Sequence, residues 1–140
     1  MTDITSAGLT PISTITGDPV ARVPADATVA DAAKAMVAHD VGAIVVGHEE
    51  RPVALLSERD IVRVVAAGQD PASVPAADVA STKLVWCGAE ATVNQVAARM
   101  MDRYIRHVLV EQDGALAGIV SARDLLGVFS GDTDLDFDSV

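Results

Sequence analysis

Two four-residue clusters hold most of the chemistry in this chain: Ser57-Glu58-Arg59-Asp60 and Ser121-Ala122-Arg123-Asp124. Each offers a hydroxyl, a guanidinium and a carboxylate within a single turn of helix. Such a set works by hydrogen bonding and charge pairing, and two uses are open to it. Serine and aspartate three residues apart at a helix start can cap the helix, the hydroxyl and the carboxylate each accepting from a backbone N–H. The same groups can instead face a ligand, with the arginine as countercharge. Sets suited to bond making are missing from the sequence: it has no paired-histidine metal spacing, no Cys-His pairing and no glycine-rich phosphate loop. Asp60 and Asp124 lie in different copies of the motif, so their spacing gives no reason for a shared acid–base site. No catalytic residue, metal site or cofactor is expected.

The two clusters belong to a longer repetition with an offset of 64 positions. Ala27-Thr28-Val29 returns as Ala91-Thr92-Val93, Met36 as Met100 and Val46 as Val110, with no gap between the anchors. A fixed register of this length marks a tandem of two structural units. Each reads as strand, helix, strand, strand, helix. In the first, Val20–Val23 is extended and Thr28-x-x-Asp31 opens a helix whose apolar face is Val29, Ala32, Ala33, Met36 and Val37. Ala43–Val46 and Pro52–Leu56 are strands joined by a turn at His48–Arg51, and the helix after Ser57 stops at Gly68. In the second, Leu84–Cys87 is extended and Thr92-x-x-Gln95 precedes a helix over Val93 to about Arg103. A hairpin with Asp113-Gly114 at its tip joins Val108–Val110 to Leu116–Val120, and a last helix follows Ser121. Ala76–Ala80 is a short helix with a counterpart at Ile12–Thr16, so each repeat includes a lead-in. The expected boundaries are 12–68 for the first repeat, 69–75 for a linker, 76–129 for the second repeat and 130–140 for an acidic tail. The class is α/β (α+β), with two small sheets packed with helices about a pseudo-twofold axis.

Composition narrows the function. Half of the 140 residues are hydrophobic, but few are aromatic, which suits small helices packed closely on short strands. No apolar run nears the roughly 20 residues of a membrane span, and Met1-Thr2-Asp3-Ile4 lacks the basic and apolar regions of a signal peptide. A cytoplasmic, soluble protein is expected. A formal net charge of −10 argues against nucleic-acid and anionic-membrane partners. The single cysteine, Cys87, rules out an intramolecular disulfide framework; its counterpart is Val23, so it reads as a small buried hydrophobe, with a redox role as the alternative.

The arrangement resembles the cystathionine-β-synthase (CBS) domain pair, or Bateman module. The resemblance rests on Gly118-Ile119-Val120-Ser121-Ala122-Arg123-Asp124, its weaker copy Ala54-Leu55-Leu56-Ser57-Glu58-Arg59-Asp60, the Ala-Thr-Val helix starts, and the hairpin from Ile105-Arg106-His107-Val108-Leu109-Val110. It implies that Ser57 and Ser121 face a ligand phosphate and that Asp60 and Asp124 bind ribose hydroxyls. General chemistry agrees: a carboxylate accepts from two hydroxyls at once, and a helix N-terminus favours phosphate. Arg59 and Arg123 are then countercharges, and Arg106 and His107 are additional candidates confined to the second repeat. Two departures stand out. The hairpin strands carry Val45 and Leu109 where the family often has proline, and Ala54 replaces Gly118 in the first copy, where a methyl would narrow a cleft or alter backbone freedom. The second site is the better candidate. Trp86, the only tryptophan, is assigned to a core or dimer contact rather than adenine stacking.

The resemblance implies a stand-alone regulatory module, not an enzyme. It would bind AMP, ADP, ATP or S-adenosylmethionine between its repeats, form a homodimer through its helices, and signal to an unidentified regulated protein. The alternative is a constitutive dimeric interaction module with vestigial clefts.

Overall fold

The computed structural model describes residues 7–16 and 20–133, the side chains of 130–133 excepted. After a 3₁₀ turn at Ile12–Ile15, the elements are β1 (Arg22–Val23), α1 (Val29–His39), β2 (Ala43–Val46), β3 (Leu55–Ser57), α2 (Glu58–Ala66), α3 (Ala76–Val79), β4 (Trp86–Gly88), α4 (Val93–Arg103), β5 (His107–Gln112), β6 (Ala115–Ser121) and α5 (Ala122–Thr133). Strand, helix, strand, strand, helix thus occurs twice. The sheets are β1-β2-β3 and β4-β5-β6, a mixed α+β architecture with two three-stranded sheets.

The register of the repeat survives to the residue. β1 pairs parallel to β2 with Arg22 opposite Val45 and Val23 opposite Val46. β4 pairs parallel to β5 with Trp86 opposite Leu109 and Cys87 opposite Val110, the same partners 64 positions on. Strand ends depart from expectation. β1 and β4 are shorter and shifted toward their C-termini, and β3 starts only at Leu55. Pro52 has no N–H to give to a ladder. β5 and β6 are longer than expected because Asp113 (φ 55°) and Gly114 (φ 81°) both take the left-handed conformations of a two-residue hairpin turn. α5 runs to Thr133, so the first residues of the expected tail, 130–133, are helical; the Asp-rich stretch from Asp134 lies outside the described residues.

Local chemistry explains the helices. Thr28 caps α1: its side chain accepts from Asp31 N–H at 3.1 Å while the Asp31 carboxylate accepts from Thr28 N–H at 3.0 Å. That hydrogen bond and the Thr28 hydroxyl hold the Asp31 carboxyl below the usual carboxylate range. Thr92 and Gln95 build the same box at α4. Val29, Ala32 and Met36 of α1 are buried, as are Val93, Val96 and Met100 of α4. Both helices end on a left-handed residue at corresponding positions, Asp40 and Tyr104, each with φ 53°.

Chain contacts divide the protein into two compact units, and the division exchanges the lead-ins. One unit comprises 20–84 with 114–116; the other comprises 7–16, 85–113 and the described residues from 117. In the first, Ala76 of the second lead-in is fully buried beside Val23, Ile44 and Leu56. Its N–H donates to Ala27 C=O at 2.9 Å, and Val29 N–H donates to Val74 C=O at 2.8 Å. In the second, Ile12 of the first lead-in is buried with Val93, Val108 and Val120. Ile12 N–H donates to Ala91 C=O at 2.7 Å and Val93 N–H to Thr10 C=O at 2.9 Å. These are the same bonds at the same offset. Each lead-in supplies a carbonyl to a helix-start N–H that has no partner inside its own helix.

Candidate functional site

Both Ser-x-Arg-Asp clusters sit where a strand turns directly into a helix. Ser57 closes β3 and caps α2 with extended backbone (φ −109°, ψ 166°). Its N–H donates to Asp60 Oδ2 at 2.9 Å, its hydroxyl donates to the same oxygen at 3.1 Å, and Asp60 N–H donates to Ser57 Oγ at 3.4 Å. The other carboxylate oxygen, Oδ1, lies 3.6 Å from Arg63 Nη1. Ser121 closes β6 before α5. Its N–H donates to Asp124 Oδ2 at 2.9 Å, and Asp124 N–H donates to Ser121 Oγ at 3.0 Å. Both clusters therefore form complete capping boxes without a ligand.

The boxes leave unequal groups over. The Asp60 side chain is 12% exposed and both its oxygens are engaged. Asp124 is exposed, and among the described residues its Oδ1 has no hydrogen-bond or ion-pair partner. The Ser121 hydroxyl accepts from Asp124 N–H but makes no counterpart of the Ser57 hydroxyl bond to the carboxylate. The missing ion pair follows from one substitution inside the repeat: the position of Arg63 is occupied by Gly127 in the second copy.

The structure brings Arg106 and His107 to the second cluster. Ala122 N–H, the first of α5, donates to Arg106 C=O at 2.9 Å, as Glu58 N–H donates to Gly42 C=O at 3.0 Å in the first copy. Arg106 is exposed and His107 half-buried at the start of β5. Arg59 and Arg123 are exposed on the first turns of their helices. Among the described residues, the side chains of Arg59, Arg106 and Arg123 form no ion pair or hydrogen bond. Asp124, Ser121, Arg123 and Arg106 thus share one end of β6 and α5.

Thr16 is a neighbour of this site that motif reading missed. A Cβ built on Gly118, three residues before Ser121, would lie 2.7 Å from Thr16 Cβ and 3.2 Å from Thr16 O. In the first copy the corresponding residues are Ala54 and Ala80. Ala54 is buried in the core cluster against which Ala80 packs, and the adjoining Leu55 and Ser81 exchange backbone bonds of 3.0 and 2.9 Å. The Ala54-for-Gly118 exchange is therefore a matter of packing volume: in one unit threonine sits over glycine, and in the other alanine lines a core against which a second alanine packs. The sequence does hold the signal, since Thr16 and Ala80 are themselves 64 positions apart.

Trp86 and Cys87 serve elsewhere. Both are half-buried and line a hollow of about 390 Å³ with Gly88, Gln95, Arg99 and Glu111, which contains no residue of either cluster. Arg99 Nη1 donates to Trp86 C=O. Burial raises the Cys87 thiol above its usual range, against the nearby Arg99 charge. Among the described residues no group of His, Cys, Asp and Glu is placed to hold a metal ion, and no helix is long and apolar enough to cross a membrane.

Two three-stranded sheets with the same register between their first two strands, each carrying a Ser-x-Arg-Asp helix start, define a tandem α+β repeat module. Comparison with known proteins then gives the family: the profile of the CBS domain matches residues 12–67 and 76–131. The chain belongs to the CBS-domain family. Hypoxic response protein 1 of Mycobacterium tuberculosis is 33% identical over 100 residues, 70% of each chain. A CBS domain protein of Pyrobaculum aerophilum, solved in complex with AMP, is 30% identical with a TM-score of 0.74 over 86% of this chain and 98% of that one. The hexameric CBS-CP12 protein of bloom-forming cyanobacteria is 31% identical with a TM-score of 0.76 over 84% of this chain and 67% of that one. The chain spans 57% and 52% of the lengths of two further curated relatives, from Methanopyrus kandleri and Arabidopsis thaliana.

Proposed function

We propose that this chain is a non-catalytic regulatory module that binds an adenosine-containing nucleotide at the start of α5 and passes the bound state to a partner protein in the cytoplasm. The observation that carries the reading is the open second cluster, in which capping leaves one Asp124 oxygen and the Ser121 hydroxyl proton uncommitted among the described residues. A carboxylate oxygen with free lone pairs can accept from ribose hydroxyls. The serine hydroxyl, the α5 N-terminus, and Arg106 and Arg123, whose side chains have no partner among the described residues, suit a phosphate. The AMP complex of the Pyrobaculum relative supports this class of ligand. To signal at all, the nucleotide must favour one conformation of the module or its assembly over another.

We further propose a homodimer. Matching helix positions in the two repeats stay apolar and exposed: Val37 (82%) with Met101 (76%), and Val62 (63%) with Leu126 (68%). Exposed apolar residues recurring at matched positions suit a covered surface, and the hexameric relative supports self-association. The complete capping boxes favour a second reading, a dimeric interaction module without ligand.

A thermal-shift series with AMP, ADP, ATP and S-adenosylmethionine separates the two. A ligand that binds the folded state raises Tm with concentration. A shift that is lost in Asp124→Ala supports the nucleotide module. No shift at millimolar ligand favours the ligand-free one.

A further inference from the structure

The two Ser-x-Arg-Asp sites share one origin but not one state, and one side chain present in the first alone, Arg63, bears directly on the aspartate. Arg63 reaches back from the second turn of α2 to Asp60 Oδ1 at 3.6 Å. Ser57 spends both its N–H and its hydroxyl proton on Asp60 Oδ2. The first site is thus closed on itself: the carboxylate is largely covered, its charge is paired and the serine has no proton to offer. In the second site, position 127 is glycine, and a Cβ built there meets nothing within 4 Å. Among the described residues no guanidinium pairs with Asp124. The lead-in lies against the strand before the serine in each unit, and each helix start takes a backbone carbonyl from the residue at the same offset, Gly42 or Arg106. The scaffold is therefore common to both, and the difference lies in the side chains.

We propose that Arg63 is a specificity-determining residue that disfavours nucleotide at the first site, so that the second repeat takes the more tightly bound nucleotide. The proposal rests on the nucleotide reading above and adds which site binds more tightly and what disfavours the other. Arg63 acts by competing with ribose hydroxyls for Asp60 Oδ1 and by covering that oxygen. Its side chain is 70% exposed, and an exposed ion pair changes an equilibrium by no more than about fivefold. Arg63 accordingly tunes the first site rather than abolishing it.

The test is isothermal titration of the full chain with AMP, and separately with ATP, alongside Asp60→Ala, Asp124→Ala, Arg63→Ala and Gly127→Arg. Gly127→Ala serves as a control for the added helix propensity, and each variant is first shown to melt cooperatively. The wild type should bind one equivalent per chain in its tighter step. Asp124→Ala should weaken that step at least tenfold, whereas Asp60→Ala should leave it within twofold. Arg63→Ala should strengthen the weaker step, by up to about fivefold. Gly127→Arg, but not Gly127→Ala, should weaken the tighter step by a similar factor, which a purely structural role for position 127 would not produce. Two equal steps in the wild type, loss of the tighter step in Asp60→Ala, or weaker binding in Arg63→Ala would each overturn the assignment while leaving the nucleotide reading intact. No binding of either nucleotide by the wild type would overturn both.

Discussion

The close approach of Thr16 to Gly118 gives a quantitative test of the packing that backs the candidate site. In Gly118→Ala the new methyl would sit 2.7 Å from Thr16 Cβ and 3.2 Å from its carbonyl oxygen. Both are inside ordinary contact distance, and the second partner is backbone, which yields least. Overpacking of this kind costs about 1–3 kcal/mol. For a chain of this length that lowers Tm by roughly 3–4 °C per kcal/mol. Thr16→Ala alone removes a methyl and a hydroxyl from a half-buried position and should cost about 1 kcal/mol or less. The double variant Thr16→Ala/Gly118→Ala recreates the Ala80–Ala54 pair of the first repeat, where the two alanines lie in one well-packed core. It should be more stable than Gly118→Ala, with a coupling of about 1–2 kcal/mol between the two positions. Urea unfolding of the four proteins measures this cycle. Additive costs, with the double variant the least stable of the four, would refute the volume-exchange argument.

Three further outcomes are expected. Thr92→Ala removes the hydroxyl that accepts from Gln95 N–H and should cost about 1 kcal/mol, read as a Tm loss of a few degrees that Thr92→Ser restores. Burial holds the Cys87 thiol protonated above its usual range, so at about pH 8 it should react with a disulfide reagent more slowly in the folded than in the urea-unfolded chain. The unfolded thiol ionises first as pH rises, so this group withdraws stability from about pH 8.5 upward. Charging one exposed apolar position, Leu126→Asp, should shift the mass measured by light scattering from dimer toward monomer without lowering Tm at high dilution; an unchanged dimer would exclude α5 from the interface.

Much of the fold was legible because the sequence states it twice. Helix starts at Thr28 and Thr92 follow from side chains that bond the next turn, an interaction local enough to read from spacing. The Asp113-Gly114 turn is similarly local. The strand ends were less legible, because the loss of pairing at Pro52 and Val53 depends on the partner strand. The exchange of lead-ins was not legible at all. The apolar pattern of Ile12–Thr16 and Ala76–Ala80 says that each packs, but the core that receives it is a tertiary choice. The same limit applies to the candidate site. Ser57, Asp60, Ser121 and Asp124 could be named from the motif, with ligand contact favoured over capping at Asp124 and the two balanced at Asp60. The structure shows that capping is satisfied in both copies and that only the second leaves groups over. Arg63 lies three residues beyond the cluster, outside the motif, and matters only through its reach back to Asp60.

The central claim is that the Asp124 carboxylate serves a nucleotide as well as the helix cap. Asp124→Glu separates the two roles, because Ser-x-x-Glu is itself a good capping box but displaces the carboxylate by a methylene. The decisive measurement is AMP affinity of Asp124→Glu against wild type by calorimetry, with Tm recorded for each. A hydrogen bond to a charged group is worth about 1.5–3 kcal/mol, so the account predicts an unchanged Tm and binding weakened at least about tenfold. Equal affinity in the two proteins, or a wild type that binds no AMP, would contradict it.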